Sequence, residues 1–158
     1  PSNHYTYVDI DPAVRDIAEK HFLHAAARGD FIADDARSFV IRTSQRFAAV
    51  LVDVYSAHSS IPGHLVTREF WQATRRVLDP DGLLIANLIL DSALATPYSR
   101  NLLATIESVY GRCAVEVLQK KQVLANVVVT CRNGEPPEPP RLFIDERNTA
   151  DFDLARSR

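Results

Sequence analysis

Three short apolar runs early in the chain end in acid. Asp9 closes "YTYV", with Asp11 nearby; the pair Asp34 and Asp35 follows "DFIA"; and Asp53 closes "FAAVLV". An ionised carboxylate only accepts hydrogen bonds. At the end of a strand in a nucleotide-binding β-α-β unit, one such acid can accept from both ribose hydroxyls. A second can accept from an exocyclic adenine amine, and a third can hold or deprotonate an amine. The plainer reading of each acid is a helix cap. Asp11 stands before Pro12, and "DDARSFVIR" (34–42) reads as a short helix with Asp34 or Asp35 near its N-terminus, both good helix starts. Asp53 has no helix directly after it to cap.

The elements that would position these acids follow from periodicity. "YTYVDI" (5–10) and "DFIA" (30–33) read as strands, and Val14, Ile17, Ala18 and Phe22 recur at helical spacing between them. The continuous apolar run 47–53 predicts a strand buried on both faces. A helix is predicted over 67–78, with Phe70, Trp71, Thr74, Val77 and Leu78 on one side. "DPDG" (79–82) reads as a turn, and "LLIANLI" (83–89) as another buried strand. A helix over 98–110 turns Leu102, Leu103, Ile106 and Val109 inward and stops at Gly111. "CAVEVL" (113–118) and "VLANVVVTC" (123–131), joined by a solvated "QKK" turn, form an antiparallel pair. The fold class expected is α/β: a Rossmann-like, doubly wound, mostly parallel sheet with a C-terminal antiparallel strand pair. In such sheets ligands bind outside the carboxyl ends of the strands, which puts the three acids on one rim. The domain is expected over 1–133, followed by a proline-rich linker and tail over 134–158.

Composition narrows the classes. The chain has 158 residues, 46% hydrophobic and 24% charged, which is enough for one globular core. A net charge of −2 leaves no basic footprint for nucleic acid. No apolar run is long enough to span a membrane, and no secretory leader is visible. Cys113 and Cys131 are expected as buried free thiols, and the location as cytoplasmic. No metal is expected, since His21 and His24 lack a third ligand nearby and the cysteine spacing matches no metal pattern. No Ser lies in a nucleophile elbow. Phe70, Trp71 and Tyr110 read as packing. The chain begins at Pro1 and holds no Met, so it is expected to be part of a longer or processed protein.

The segments "YVDIDPAVRDIAEKHF", "ADDARSFV", "FAAVLVDVYS…IPGHLVTREFW" and "VLDPDGLLIANL" together resemble the spermidine synthase family, over roughly residues 5 to 131. That family is a branch of the class I S-adenosylmethionine-dependent methyltransferase fold. The resemblance implies aminopropyl transfer from decarboxylated S-adenosylmethionine to a diamine such as putrescine. By it, Asp9 would bind the cofactor ribose, Asp35 with Ala36 the adenine, and Asp53 would take the proton from the attacking amine. The partners implied are a small-molecule amine and, as the family allows, a second copy in a homodimer. "SAHSSIPGH" is placed to act as a lid.

Three departures accompany the resemblance. The family's first strand and glycine-rich motif are absent and should lie before Pro1; the five glycines here are not clustered. The family's loop carries a second acid, whereas this one reads "DVYSAH", with Tyr55 and His58 in its neighbourhood. The family's small N-terminal β-domain is not seen. His58 reads either as a replacement base or as a plain loop residue, and His64 as part of a helix start. Two other readings stay open: a methyltransferase using S-adenosylmethionine itself, and a non-catalytic domain that has kept the fold.

Overall fold

The computed structural model describes residues 3–55, 61–118, 123–132 and 154–155. Its α/β chain divides into two compact units, Pro1–Thr43 and Ser44–Arg158. His58, the 56–60 part of the expected lid, the "QKK" turn and nearly all of 134–158 lie outside the described residues.

In the first unit, β1 (Thr6–Asp9) pairs in parallel with β2 (Asp30–Ala33), with Asp9 opposite Ala33. Between them, α1 (Ala13–Ala18) runs on into a π-turn over Glu19–Leu23. Asp11 starts this helix as expected: its side chain accepts from the Ala13 N–H at 2.9 Å. Glu19 closes the return, accepting from the Ala27 N–H at 3.0 Å. That hydrogen bond, with Arg15 beside it, lowers the Glu19 carboxyl. Gly29 then passes so near β1 that a Cβ would lie 2.1 Å from the Tyr5 carbonyl oxygen, and its φ is +109°. Glycine alone meets both demands there. The second helix, α2 (Ala36–Arg42), is capped by Asp35, which accepts from the Ser38 N–H at 2.8 Å.

The second unit is built on a four-stranded sheet in the order β3 (Phe47–Val52), β4 (Leu78–Asp91), β6 (Leu124–Cys131), β5 (Cys113–Val117). The β3–β4 pair is parallel and the other two pairs are antiparallel, as the sequence indicates for the terminal strands. One face holds the core. Leu84, Ala86, Leu88 and Leu90 of β4 and Ala125, Val127, Val129 and Cys131 of β6 are all buried, and the register pairs them across the two strands. Each fully buried Leu contributes about 1.5–3 kcal/mol relative to exposure.

Two helices of this unit complete the core: α3 (Arg68–Arg76), capped by Thr67, and α4 (Pro97–Tyr110), capped by Thr96. Phe70, Trp71 and Tyr110 are buried as packing residues. Tyr110 hydroxyl and Thr74 Oγ1 lie 2.7 Å apart, and Thr74 also donates to the Trp71 carbonyl. Thr74 has one hydroxyl proton, so Tyr110 is the donor in the pair. Gly111, at φ 79°, stops α4.

Four expectations are corrected. Strand β3 is not buried on both faces: among the described residues it is a sheet edge, Ala48 and Ala49 are exposed, and Leu51 is 68% exposed. "LLIANLI" is buried on one face only, because α3 and α4 supply a single covering layer among the described residues. "DPDG" is not a turn between helix and strand. The chain enters β4 at Leu78, and the β3 register jumps from Phe47–Leu78 to Ala49–Leu83, so these residues bulge from the ladder. Proline lacks the N–H that an unbroken ladder needs. Finally, Cys113 and Cys131 are not free thiols. They stand opposite each other in the β5–β6 register, with Cα atoms 4.5 Å apart, and form a disulfide.

Candidate functional site

In the first unit the parallel register brings two of the expected acids to neighbouring strand ends. The Asp34 N–H donates to the Asp9 carbonyl at 3.0 Å, which carries the β1–β2 ladder one step past Ala33. Asp9 Oδ1 accepts from the Asp11 N–H at 2.9 Å, and this fixes the carboxylate just outside the strand. Its other oxygen has no hydrogen bond among the described residues. Asp34 turns to the Arg42 guanidinium and to the Asp35 N–H, while Asp35 caps α2 with Ala36 as the first helical residue. The cap therefore falls to Asp35 rather than Asp34. Asp9, Asp34 and Asp35 are half-buried.

In the second unit Asp53 follows β3 directly and is exposed. The register there decides its neighbour. Val52 pairs with Ala86, and both are buried, so the next pair, Asp53 and Asn87, falls on the opposite face. Asn87 Nδ2 donates to Asp53 Oδ1 at 3.1 Å. Its orientation follows from charge, since a carboxylate faces an N–H and repels an amide oxygen. Asn87 Oδ1 is sealed from solvent and has no partner among the described residues. Tyr55, two residues past Asp53, donates its hydroxyl to the Asn87 carbonyl at 2.7 Å. Burial, and then the negative charge of Asp53, push the Tyr55 phenol up to about 12. It is a neutral donor at ordinary pH.

Asn87 was not among the residues singled out from sequence. Its signal was faint: one amide inside "LLIANLIL", on the face whose other members are Leu83, Ile85 and Ile89. His64 sits in the short 3-10 turn Gly63–Leu65, leading to the α3 cap. Among the described residues, no three His, Cys, Asp or Glu side chains are grouped to hold a metal, and no helix is long and apolar enough to cross a membrane.

Residues 2–131 match the spermine/spermidine synthase domain. The chain belongs to that family. It is 35% identical over 115 residues to a polyamine aminopropyltransferase of Vibrio vulnificus, covering 70% of this chain and 37% of the relative. This family member thus spans little more than a third of that relative's length. Its fold is that of a spermidine synthase solved with the transition-state analogue AdoDATO (TM-score 0.67, 18% identity, 83% of this chain and 47% of that one). It is also that of human methyltransferase-like protein 13 in complex with SAH (TM-score 0.66, 19% identity, 98% of this chain and 67% of that one). The class I methyltransferase-like α/β fold expected from the sequence is therefore present.

Proposed function

We propose that this chain supplies the adenosyl-binding acids and the amine-activating acid of an aminopropyl transferase resembling spermidine synthase. The observation that carries the reading is Asp53: an exposed carboxylate on a strand end, held on one oxygen by Asn87, in a spermine/spermidine synthase domain. In this reading the ribose hydroxyls of decarboxylated S-adenosylmethionine donate to Asp9, and the adenine amine edge meets Asp35 and Ala36. Acceptor-only groups suit hydroxyl and amine donors.

The sulfonium supplies an activated electrophile. The amine nitrogen of a small acceptor forms a bond to the propyl carbon, the C–S bond breaks, and its electron pair stays on sulfur as methylthioadenosine. Asp53 accepts the proton the amine loses. Tyr55 and His58 would border the acceptor. Alignment of the two reactants is worth about 7–11 kcal/mol in well-oriented systems, so positioning is the protein's main task.

A second reading, methyl transfer from S-adenosylmethionine to an amine, has one observation in its favour. The loop after Asp53 reads "VYSAH" and lacks the second acid that the family's loop carries to hold a cationic amine. Calorimetric titration of the full-length protein with methylthioadenosine, S-adenosylmethionine and its decarboxylated form separates the two. Tighter binding of the decarboxylated form supports aminopropyl transfer. The reverse preference supports methyl transfer, and failure to bind any of the three removes both.

A further inference from the structure

We infer that Asn87 is a positioning residue for Asp53: its side-chain amide holds one carboxylate oxygen so that the other faces the acceptor amine. The inference rests on the reading of Asp53 as the amine-binding acid. Its geometric basis is a pair of bonds made by one residue. The Asn87 side chain reaches Asp53 at 3.1 Å, and its main chain receives the Tyr55 hydroxyl at 2.7 Å. Both residues lie beyond the end of β3, where no ladder partner fixes them. Asn87 belongs to β4, bonded to strands over most of its length, so it lends a rigid reference to a segment that has left the described ladder.

The energetics point the same way. Asn87 keeps a buried oxygen with no partner among the described residues, an arrangement that disfavours folding. Its neighbours on the same face, Ile85 and Ile89, show that the position suits an aliphatic side chain. An amide kept at such a site serves something other than packing. The sealed oxygen also argues against direct contact with a ligand arriving from solvent. The N–H turned to Asp53 is the atom in use.

The test is a double-mutant cycle in the full-length protein with methylthioadenosine bound, reading amine affinity by calorimetry with putrescine as the probe. Asn87→Leu removes the amide and keeps the branching and the number of heavy atoms. It should weaken putrescine binding about tenfold, the value of a charge-assisted hydrogen bond, and leave nucleoside affinity unchanged. Its unfolding temperature should stay level or rise, because the orphaned oxygen is gone. Asn87→Gln, which keeps an N–H donor, should recover part of the affinity.

In the Asp53→Asn background, Asn87→Leu should change affinity less than twofold, since Asn87 acts through Asp53. Independent, multiplicative losses would overturn the inference and assign direct ligand contact instead. A loss of stability parallel to the loss of affinity would reduce Asn87 to a structural role. Unaltered putrescine affinity with normal nucleoside binding would also overturn it while leaving the adenosyl reading intact. Absence of nucleoside binding in the wild type would sink both.

Discussion

The Tyr55 hydroxyl donates to the backbone carbonyl of Asn87 at 2.7 Å, joining the segment that leaves β3 to the middle of β4. The bond has a simple origin. The β3–β4 ladder ends with Val52 opposite Ala86, so the carbonyl of Asn87 has outrun its strand partner. A carbonyl in that position needs a donor, and the phenol two residues past Asp53 supplies it. The acid, the amide and the phenol thereby form one connected group at the carboxyl end of a parallel pair.

Asp53→Asn removes the proton acceptor and keeps the shape. In the full-length protein, amine transfer should fall by about 10²–10⁴, the usual contribution of a positioned general base. Nucleoside binding, read by calorimetry, should not move. Turnover within tenfold of wild type would sink the assignment of Asp53.

The Tyr55 phenol provides a separate probe of the same group. Its ionisation is pushed up by burial first and by the Asp53 charge second, to about 12. In Asp53→Asn the second cause disappears and the first remains. Tyr55 should then titrate below its wild-type value and still above the ordinary value of 10. Tyrosinate absorbance, with Tyr55→Phe as the blank, reads this directly. An unchanged curve would mean that the two groups do not feel each other in solution.

Asp91 ends β4 and anchors the start of α4. Burial tends to raise its carboxyl, but hydrogen bonds from Ser99, Ala95 and Thr96 outweigh that and hold it below the ordinary 3.8. A carboxyl depressed on folding stabilises the fold at all pH above its unfolded value, and the benefit fades as pH falls through the folded value. Asp91→Asn should therefore be less stable than wild type at neutral pH, with the gap closing as the solution is taken below 3.8. Urea melts across that range measure it; a gap independent of pH would refute the charge argument.

The Cys113–Cys131 disulfide closes a loop with a sequence separation of 18. A loop near that length is worth about 3 kcal/mol through its effect on the unfolded chain. Paired replacement by Ser should lower stability to chemical denaturation by that order, with the β5–β6 pair the first to exchange its amide hydrogens. If oxidised wild type and the double variant melt alike, the bridge contributes nothing.

Thr74→Val should cost about 1–3 kcal/mol, because it strands the buried Tyr110 hydroxyl without its acceptor. Adding Tyr110→Phe to the same protein should return much of the loss. Thermal unfolding of the single and double variants distinguishes this from a simple packing defect, which the second change would not repair.

Much of the local structure was legible in the residues themselves. "DFIA" is a strand over the same four residues that the sequence indicated, and α4 begins one residue earlier than expected and ends at Gly111. These rest on short-range causes: alternation, caps, and the conformational freedom of glycine. The Asp35 cap was legible as one of two choices, because either of two adjacent acids can cap the same helix. The family was legible too, because its motifs are contiguous stretches of chain.

The tertiary structure decided what depends on register and on what lies across a sheet. Nothing in "FAAVLV" says that it is an edge strand, since the same apolar run serves a covered position equally well. Nothing in the cysteine spacing says that Cys113 and Cys131 stand opposite each other; that follows from the hairpin register. Above all, the partner of Asp53 depends on how the "DPDG" bulge offsets β4 against β3. Strand side chains alternate with a period of two, so a slip of one residue would replace Asn87 by Ala86 or Leu88 and remove the amide from the site. The sequence by itself determined the acids and the strands that carry them. Only the folded register determined which side chain Asp53 meets, because that register is set by pairing between residues more than thirty positions apart.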